Sequence, residues 1–243
     1  MIEVQKIRLN KYISQSGYCS RRQADELIKQ RKVILNNITV KELGCKIDPI
    51  HDVVRIKNGP TLKPSQKKIL LMMNKPKGYV CTKKDQYANR TVYDLLPHQF
   101  QHLFSIGRLD KDSEGLLLFT NDGELSNKLM HPKFKKEKTY RLTIRGRLEE
   151  KELEQIQSGM RLIKFRTLPA KVKEISFDKE ENRSVLEMTI TEGKKRQIRE
   201  TFLALKHPVK KLVRLVFGPY RLLKLKPGEF EIISTKSKIK RKK

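Results

Sequence analysis

The chain has 243 residues, enough for a small domain beside a medium one, each with its own core. Its 55 Lys and Arg against 27 Asp and Glu leave a net charge of +28, a self-repulsion that points to a polyanionic partner, foremost nucleic acid, whose released counterions drive association. Three scattered cysteines (Cys19, Cys45, Cys81), with none of the five histidines clustered near them, exclude a disulfide framework or zinc site and suit a reducing cytosol.

No apolar run approaches the ~18 residues of a bilayer span. The first residues also lack a signal-peptide core, so a soluble cytoplasmic protein without a membrane partner is expected. Leu9, Tyr12 and Ile13, at i, i+3 and i+4, predict a short helix broken at Ser16-Gly17-Tyr18-Cys19. A second helix is predicted from Ser20, where Ser20 and Gln23 make a capping box and Ala24, Leu27 and Ile28 supply the buried face. Residues 33–54 then read as short strands with a turn at Asn36-Asn37. Arg21 and Arg22 fall in the first turn of the second helix, where the macrodipole disfavours cations by up to ~1 kcal/mol. Either RNA phosphate compensates, or both are exposed and the cost is tolerated. Arg8-Leu9-Asn10-Lys11-Tyr12-Ile13, Ser20-Arg21-Arg22-Gln23-Ala24-Asp25 and Val33-Ile34-Leu35-Asn36-Asn37 resemble an S4 RNA-binding domain. That resemblance implies RNA contacts by Arg8, Lys11, Arg21 and Arg22.

Residues 58–68, with Gly59, Pro60 and Pro64, read as a linker between an RNA-binding domain at 1–57 and a second domain at 69–233. In the second domain strands are expected at 69–73, 116–119, 139–144, 170–177 and 184–191, and helices at 93–96, 123–130, 149–157 and 195–205. Asp122 before Gly123 reads as a turn or helix cap. Strands and helices do not alternate. The predicted fold class is therefore α+β, a mixed and largely antiparallel sheet flanked by helices behind the small N-terminal domain. The basic segment 234–243 is expected to be disordered and to tether RNA nonspecifically.

The chemistry centres on Asp110. A polar loop opened by Gly107 runs into the apolar 116–119, which Asn121-Asp122-Gly123 closes, so Asp110 is a carboxylate in a loop backed by a buried strand. Two other segments are expected to meet it, Lys138-Thr139-Tyr140-Arg141-Leu142 and Glu192-Gly193-Lys194-Lys195-Arg196-Gln197-Ile198-Arg199. Ile198, Phe202 and Leu205 form a helical stripe toward which Arg199 leans, and a buried guanidinium needs a partner. Asp110 is the candidate, and the pairing would keep it ionised and able to act as a nucleophile. An ordinary salt bridge, or Arg108 pairing with Asp110 along one strand face, fits the same spacing. Tyr140, in a strand, reads by itself as packing. Lys75, Lys77 and Arg196 are further expected RNA contacts. With no glycine-rich nucleotide loop, P-loop or metal-ligand cluster in the sequence, no cofactor and no metal are expected.

Residues Gly107-Arg108-Leu109-Asp110-Lys111-Asp112-Ser113-Glu114-Gly115-Leu116-Leu117-Leu118, with Thr120-Asn121-Asp122-Gly123, resemble the signature of the RsuA/RluB/RluE/RluF family of ribosomal RNA pseudouridine synthases. Lys75-Pro76-Lys77-Gly78, Tyr140, Glu192-Gly193, Gln197-Ile198-Arg199 and Leu212-Val213-Arg214 with Phe217-Gly218-Pro219 fall where that family has motifs. The resemblance implies that Asp110 is the catalytic aspartate, Tyr140 packs on the target base, Arg199 is the basic partner of the aspartate and Arg108 holds RNA with its base flipped out. The implied reaction breaks the N1–C1′ bond of a uridine and rejoins uracil through C5, without a cofactor. The segments 212–219 and Leu225-Lys226-Pro227-Gly228-Glu229 look most like the large-subunit RluB branch. This implies 23S rRNA, or a pre-ribosomal particle, as partner of a monomer. Alternatives are a 16S rRNA synthase, a non-catalytic assembly factor of S4 type, and an S4-linked methyltransferase, for which the sequence lacks the glycine-rich loop.

Overall fold

A computed structural model describes residues 5–64, 67–83 and 90–233. The basic segment 234–243, expected to be a disordered tether, and residues 65–66 of the expected linker lie outside the described residues. Backbone contacts divide the chain into two units, Met1–Lys68 and Ile69–Lys243.

In the first unit, β1 (Ile7–Arg8) leads into α1 (Leu9–Gln15), followed by α2 (Arg21–Lys29), β2 (Val33–Leu35), β3 (Ile38–Thr39), β4 (Lys46–Ile47), β5 (Val54–Ile56) and β6 (Thr61–Leu62). The capping box forms as the sequence predicts: Ser20 Oγ accepts from Gln23 N at 3.3 Å, and Ser20 N donates to Gln23 Oε1 at 3.0 Å. Asn36 and Asn37 both take positive φ (47° and 66°), the left-handed pair that a tight hairpin between β2 and β3 requires. Leu9, Tyr12, Ile13, Ala24, Ile28 and Val33 are buried among the apolar residues of β4, β5 and β6. The Tyr12 hydroxyl finds the carbonyl of Leu62 at 3.2 Å, as a buried phenol must.

The second unit contains, in chain order, β7 (Leu70–Lys75), β8 (Phe104–Ile106), β9 (Glu114–Thr120), α3 (Gly123–Met130), β10 (Lys138–Arg145), α4 (Glu150–Ser158), β11 (Lys171–Asp178), β12 (Arg183–Ile190), α5 (Gln197–Ala204), β13 (Val209–Phe217), β14 (Tyr220–Arg221) and β15 (Phe230–Ile233). The strands make one nine-stranded sheet in the order β11-β12-β10-β13-β9-β7-β15, with β14 on β13 and β8 on β9. The fold is α+β and the sheet mixed and mainly antiparallel. All of its pairs are antiparallel except β13 with β9, which meet in parallel over Val213↔Glu114 and Arg214↔Gly115.

The apolar runs of β7 and β9 arise because both faces are covered. Leu71, Met73, Leu117 and Phe119 pack against Val92, Leu96, Phe100 and Leu103. Leu70, Met72, Leu116 and Leu118 pack against Ile106, Leu129 and Phe217 on the other side. At the parallel joint Gly115 has φ 101° and lies so close to β13 that a Cβ would collide with the backbone of Arg214. Helix α3 begins where Asp122 Oδ1 accepts from Glu124 N (2.9 Å) and Leu125 N (3.2 Å).

Two expectations need correction. Residues 93–96 are turns rather than a helix: Asp94 Oδ2 accepts from Thr91 N at 2.7 Å, and Val92, Tyr93 and Leu96 are pinned into the core individually. Four strands of the second unit, β8, β13, β14 and β15, fall outside the expected ranges; the central one, β13, does so because Lys210, Lys211 and Arg214 interrupt its apolar residues.

Candidate active site

The loop from Gly107 to Ser113 joins β8 to β9, and its backbone is fastened at every carbonyl from residue 110 to residue 113. Asp110 O accepts from Ser113 N at 3.0 Å. Lys111 O accepts from Gly78 N (2.8 Å) and from Lys75 Nζ (3.3 Å). Asp112 O accepts from Arg199 Nη2 at 3.0 Å, and Ser113 O from Lys75 Nζ at 2.7 Å. Upstream, Leu109 N donates to the Cys81 sulfur at 3.4 Å, and burial pushes the Cys81 thiol pKa up, keeping it protonated. The loop is thus held through its backbone. The Asp110 side chain is left half-buried, without a hydrogen bond or ion pair among the described residues.

Asp110 opens into a cleft of about 900 Å³ in the second unit. Among the described residues ten Lys and Arg line it against two carboxylates, Asp110 and Glu192. Glu192 is fully engaged. Its Oε1 accepts from Leu168 N (2.6 Å) and Gln197 Nε2 (2.7 Å), and its Oε2 pairs with Lys194 at 3.1 Å. Asp110 is therefore the uncommitted carboxylate of a strongly cationic cleft. Tyr140 projects from β10 into the same cleft, 7% exposed, with Arg214 opposite it across the ladder.

Residues 69–204 match the family model described as RNA pseudouridylate synthase, and residues 7–54 match the S4 domain. The chain belongs to the RNA pseudouridylate synthase family. It is 39% identical over 222 residues to the ribosomal large subunit pseudouridine synthase B of Bacillus subtilis (strain 168), covering 91% of this chain and 90% of that protein. It is 37% identical over 216 residues to the dual-specificity RNA pseudouridine synthase RluF of Escherichia coli (strain K12), covering 88% and 71% of the two. A crystal structure of a pseudouridylate synthase superposes with a TM-score of 0.67 at 31% identity, over 94% of this chain and 96% of that one.

The pseudouridylate synthase unit brings Arg108, Asp110, Tyr140, Arg196 and Arg199 to one cleft. The expected direct pairing of Arg199 with Asp110 is replaced by a backbone bridge. One arm of Arg199 donates to Val209 O (3.0 Å) and the other to Asp112 O, so the guanidinium ties α5 and β13 to the loop and leaves the Asp110 carboxylate alone. Burial and Arg196 lower the Arg199 pKa, while Asp112 and Asp110 oppose that shift. Arg196 itself takes a left-handed φ of 54° as the cap of α5 and is exposed.

Lys75 is the clearest departure from the sequence reading. It was expected at the RNA surface, yet it is fully buried and gives its ammonium to the carbonyls of Pro76 (3.0 Å), Lys111 and Ser113. Burial pushes its pKa down. Lys77 is exposed but does not line the cleft. In the S4 unit Arg8, Arg21 and Arg22 are exposed and Lys11 is half-buried. Arg21 has a protein partner: it donates to Asn10 Oδ1 at 3.2 Å, and Asn10 in turn donates to Asp25, which binds α2 to α1. Lys138, at the head of a segment expected to meet Asp110, and Arg214 also line the cleft, though neither was expected to bind RNA. Arg214 stands in a quoted motif, and its place opposite Tyr140 is a matter of strand register that the sequence does not display. No group of His, Cys, Asp and Glu able to hold a metal occurs among the described residues, and no helix of theirs is long and apolar enough to cross a membrane.

Proposed function

We propose that this chain isomerises a specific uridine of ribosomal RNA to pseudouridine, in the large-subunit 23S rRNA or its pre-ribosomal particle, as a cytoplasmic monomer without a cofactor. The observation that carries the reading is the free Asp110 carboxylate, fixed by its backbone in a cationic cleft beside Tyr140. Similarity over nine-tenths of the chain to a large-subunit pseudouridine synthase supports the choice of RNA.

In this reading the target nucleotide is everted into the cleft, where its base packs on Tyr140 and Asp110 acts on the uridine as nucleophile. The N1–C1′ bond breaks, the uracil turns, and C5 bonds to C1′. The hydrogen of C5 leaves to solvent and N1 takes up a proton, so atoms and electrons balance without a redox partner. Arg199 positions the loop through Asp112. Arg108 and Arg196 contact RNA at the cleft, Lys77 contacts it nearby, and Arg8, Lys11, Arg21 and Arg22 hold it on the S4 unit. Lys75 has no RNA contact in this scheme.

The test uses 23S and 16S rRNA transcripts tritiated at uridine C5, with wild type and Asp110→Asn. Tritium released from the 23S transcript by wild type alone is the expected result. Release from 16S reassigns the substrate. No release from either transcript or from pre-ribosomal particles, with tight binding retained, replaces the enzyme by an assembly factor.

A further inference from the structure

Two cations in the cleft are gathered on one aromatic ring and lack an anion. In the β10–β13 ladder Tyr140 lies opposite Arg214 and Lys138 opposite Phe217, and strand alternation puts Lys138 on the same face as Tyr140. All four line the cleft. The Lys138 ammonium stands 5.4 Å, and the Arg214 guanidinium 5.0 Å, from the centroid of Phe217. Arg214 is 2% exposed; its Nε donates to Leu116 O at 2.7 Å, but its Nη2 is buried with no acceptor among the described residues. Lys138 Nζ donates to Glu192 O at 3.2 Å, one bond for a group with three donors.

Burial, and then repulsion by Arg214, depress the Lys138 pKa against the pull of Glu192. The Glu192 carboxylate is committed elsewhere, as described above, and Asp110 makes no bond to either cation. A buried guanidinium with an unmatched donor beside an ammonium is unfavourable unless an anion arrives. A phosphodiester, whose single negative charge is shared by two non-bridging oxygens, accepts from both groups at once.

The geometry points to a phosphate seat: Lys138 and Arg214 together hold one phosphodiester of the nucleotide whose base reaches Tyr140. This rests on the proposed reading of the cleft as the place of an everted uridine. Two residues of strand separate Lys138 from Tyr140 by about 7 Å, so one face of the β10–β13 ladder grips the phosphate and base of one nucleotide. The contacts form only when that nucleotide has swung in, which offsets the loss of its stacking.

The seat is tested first without RNA. In the full chain, the Arg214 Nε–H and Lys138 ammonium signals are followed by NMR during titration with inorganic phosphate, and assigned through Arg214→Lys and Lys138→Met. Both signals are expected to shift together and saturate, and Lys138→Met is expected to weaken phosphate binding at Arg214 by about tenfold or more. Absence of a shift at either group, or an Arg214 response that Lys138→Met leaves intact, overturns the seat.

The assignment to the everted nucleotide is tested on the RNA from which wild type releases tritium, with a neutral methylphosphonate replacing the phosphate on one or the other side of the target uridine. One replacement is expected to lower wild-type kcat/KM about ten- to a hundredfold and to cost Lys138→Met little more. Losses that multiply in the variant overturn the assignment. Failure of wild type to release tritium from any RNA counts against the enzymatic reading, while the phosphate titration still decides the seat by itself.

Discussion

The Lys75 ammonium lies 2.7 Å from the carbonyl oxygen of Ser113, its shortest bond in a set that also reaches the carbonyls of Pro76 and Lys111. Two of these three acceptors belong to the loop that carries Asp110, so a residue chemically suited to bind phosphate serves instead as an internal tie. Lys75→Met strips two loop carbonyls of a buried donor. Lys111 O keeps its bond from Gly78 N, so the loss falls mainly on Ser113 O; the change is expected to destabilise the protein by about 1–3 kcal/mol, and to lower kcat more than it raises KM. Urea unfolding and steady-state kinetics measure the two effects.

The same residue gives a pH dependence of defined sign. Burial places the folded-state pKa of Lys75 below its unfolded value. Between the two values the unfolded chain binds more protons, so this group's contribution to stability increases as pH rises through that window. Below it, the full cost of burying the ammonium applies. The stability difference between wild type and Lys75→Met should therefore widen in favour of wild type as pH climbs toward the ordinary lysine range. A difference that stays flat across urea titrations in that range would contradict the burial argument.

Asp110→Asn should separate chemistry from folding. The carboxylate makes no bond among the described residues, so the change is expected to alter unfolding free energy by no more than about 0.5 kcal/mol. Loss of the proposed nucleophile should lower tritium release by at least about 10³-fold, with RNA affinity kept. Unfolding curves and filter binding on the same preparation are the check.

Gly115→Ala tests the joint of the sheet. The alanine Cβ would meet the backbone of Arg214, 2.7 Å from its nitrogen, at a φ of 101° that side chains rarely adopt. Backbone cannot move aside as a side-chain tip can. A loss of about 3 kcal/mol or more is expected, and a Tm within a degree or two of wild type would show that the strands can part without cost.

Arg199→Lys is not conservative here, because two different arms of one planar group reach Val209 O and Asp112 O. A single ammonium on a flexible stem does not hold both. Activity should fall about ten- to a hundredfold with less than about 2 kcal/mol lost in stability, and Arg199→Ala should go further in the same direction. Equal activity of the lysine variant and wild type would remove the bridge from the account.

Local signals were legible in the sequence where the physics is local. The Ser20–Gln23 capping box, the Asn36-Asn37 turn and the helix at 123–130 each depend on residues within a turn of one another, and each forms. The Asp110 loop was legible because glycine, polar residues and a buried strand follow one another directly. Lys75 and Arg214 were misjudged or passed over because burial of a cation depends on acceptors far away in sequence: Ser113 for the one, Leu116 for the other. Strand β13 was hidden for the same reason, since two of its interrupting charges face out and the third is swallowed by the core. The Arg199 bridge escaped prediction because a guanidinium can be satisfied by carbonyls as well as by a carboxylate, and only the latter is visible as a residue type.

The parallel joint between β9 and β13 spans two residue pairs, whereas β7 and β9 are knit over six and β10 and β12 over eight. The sheet is thus bound like a book with a short spine, Asp110's loop on one cover and Tyr140 with Arg214 on the other. Across that spine the backbone ladder is supplemented by side chains, with Arg214 Nε donating to Leu116 O and Phe217 packing on Leu116 and Leu118. In the proposed reading a substrate touching both covers adds a further clasp, and the expected sign of it is slower amide exchange at residues 114–115 and 213–214 when RNA is bound.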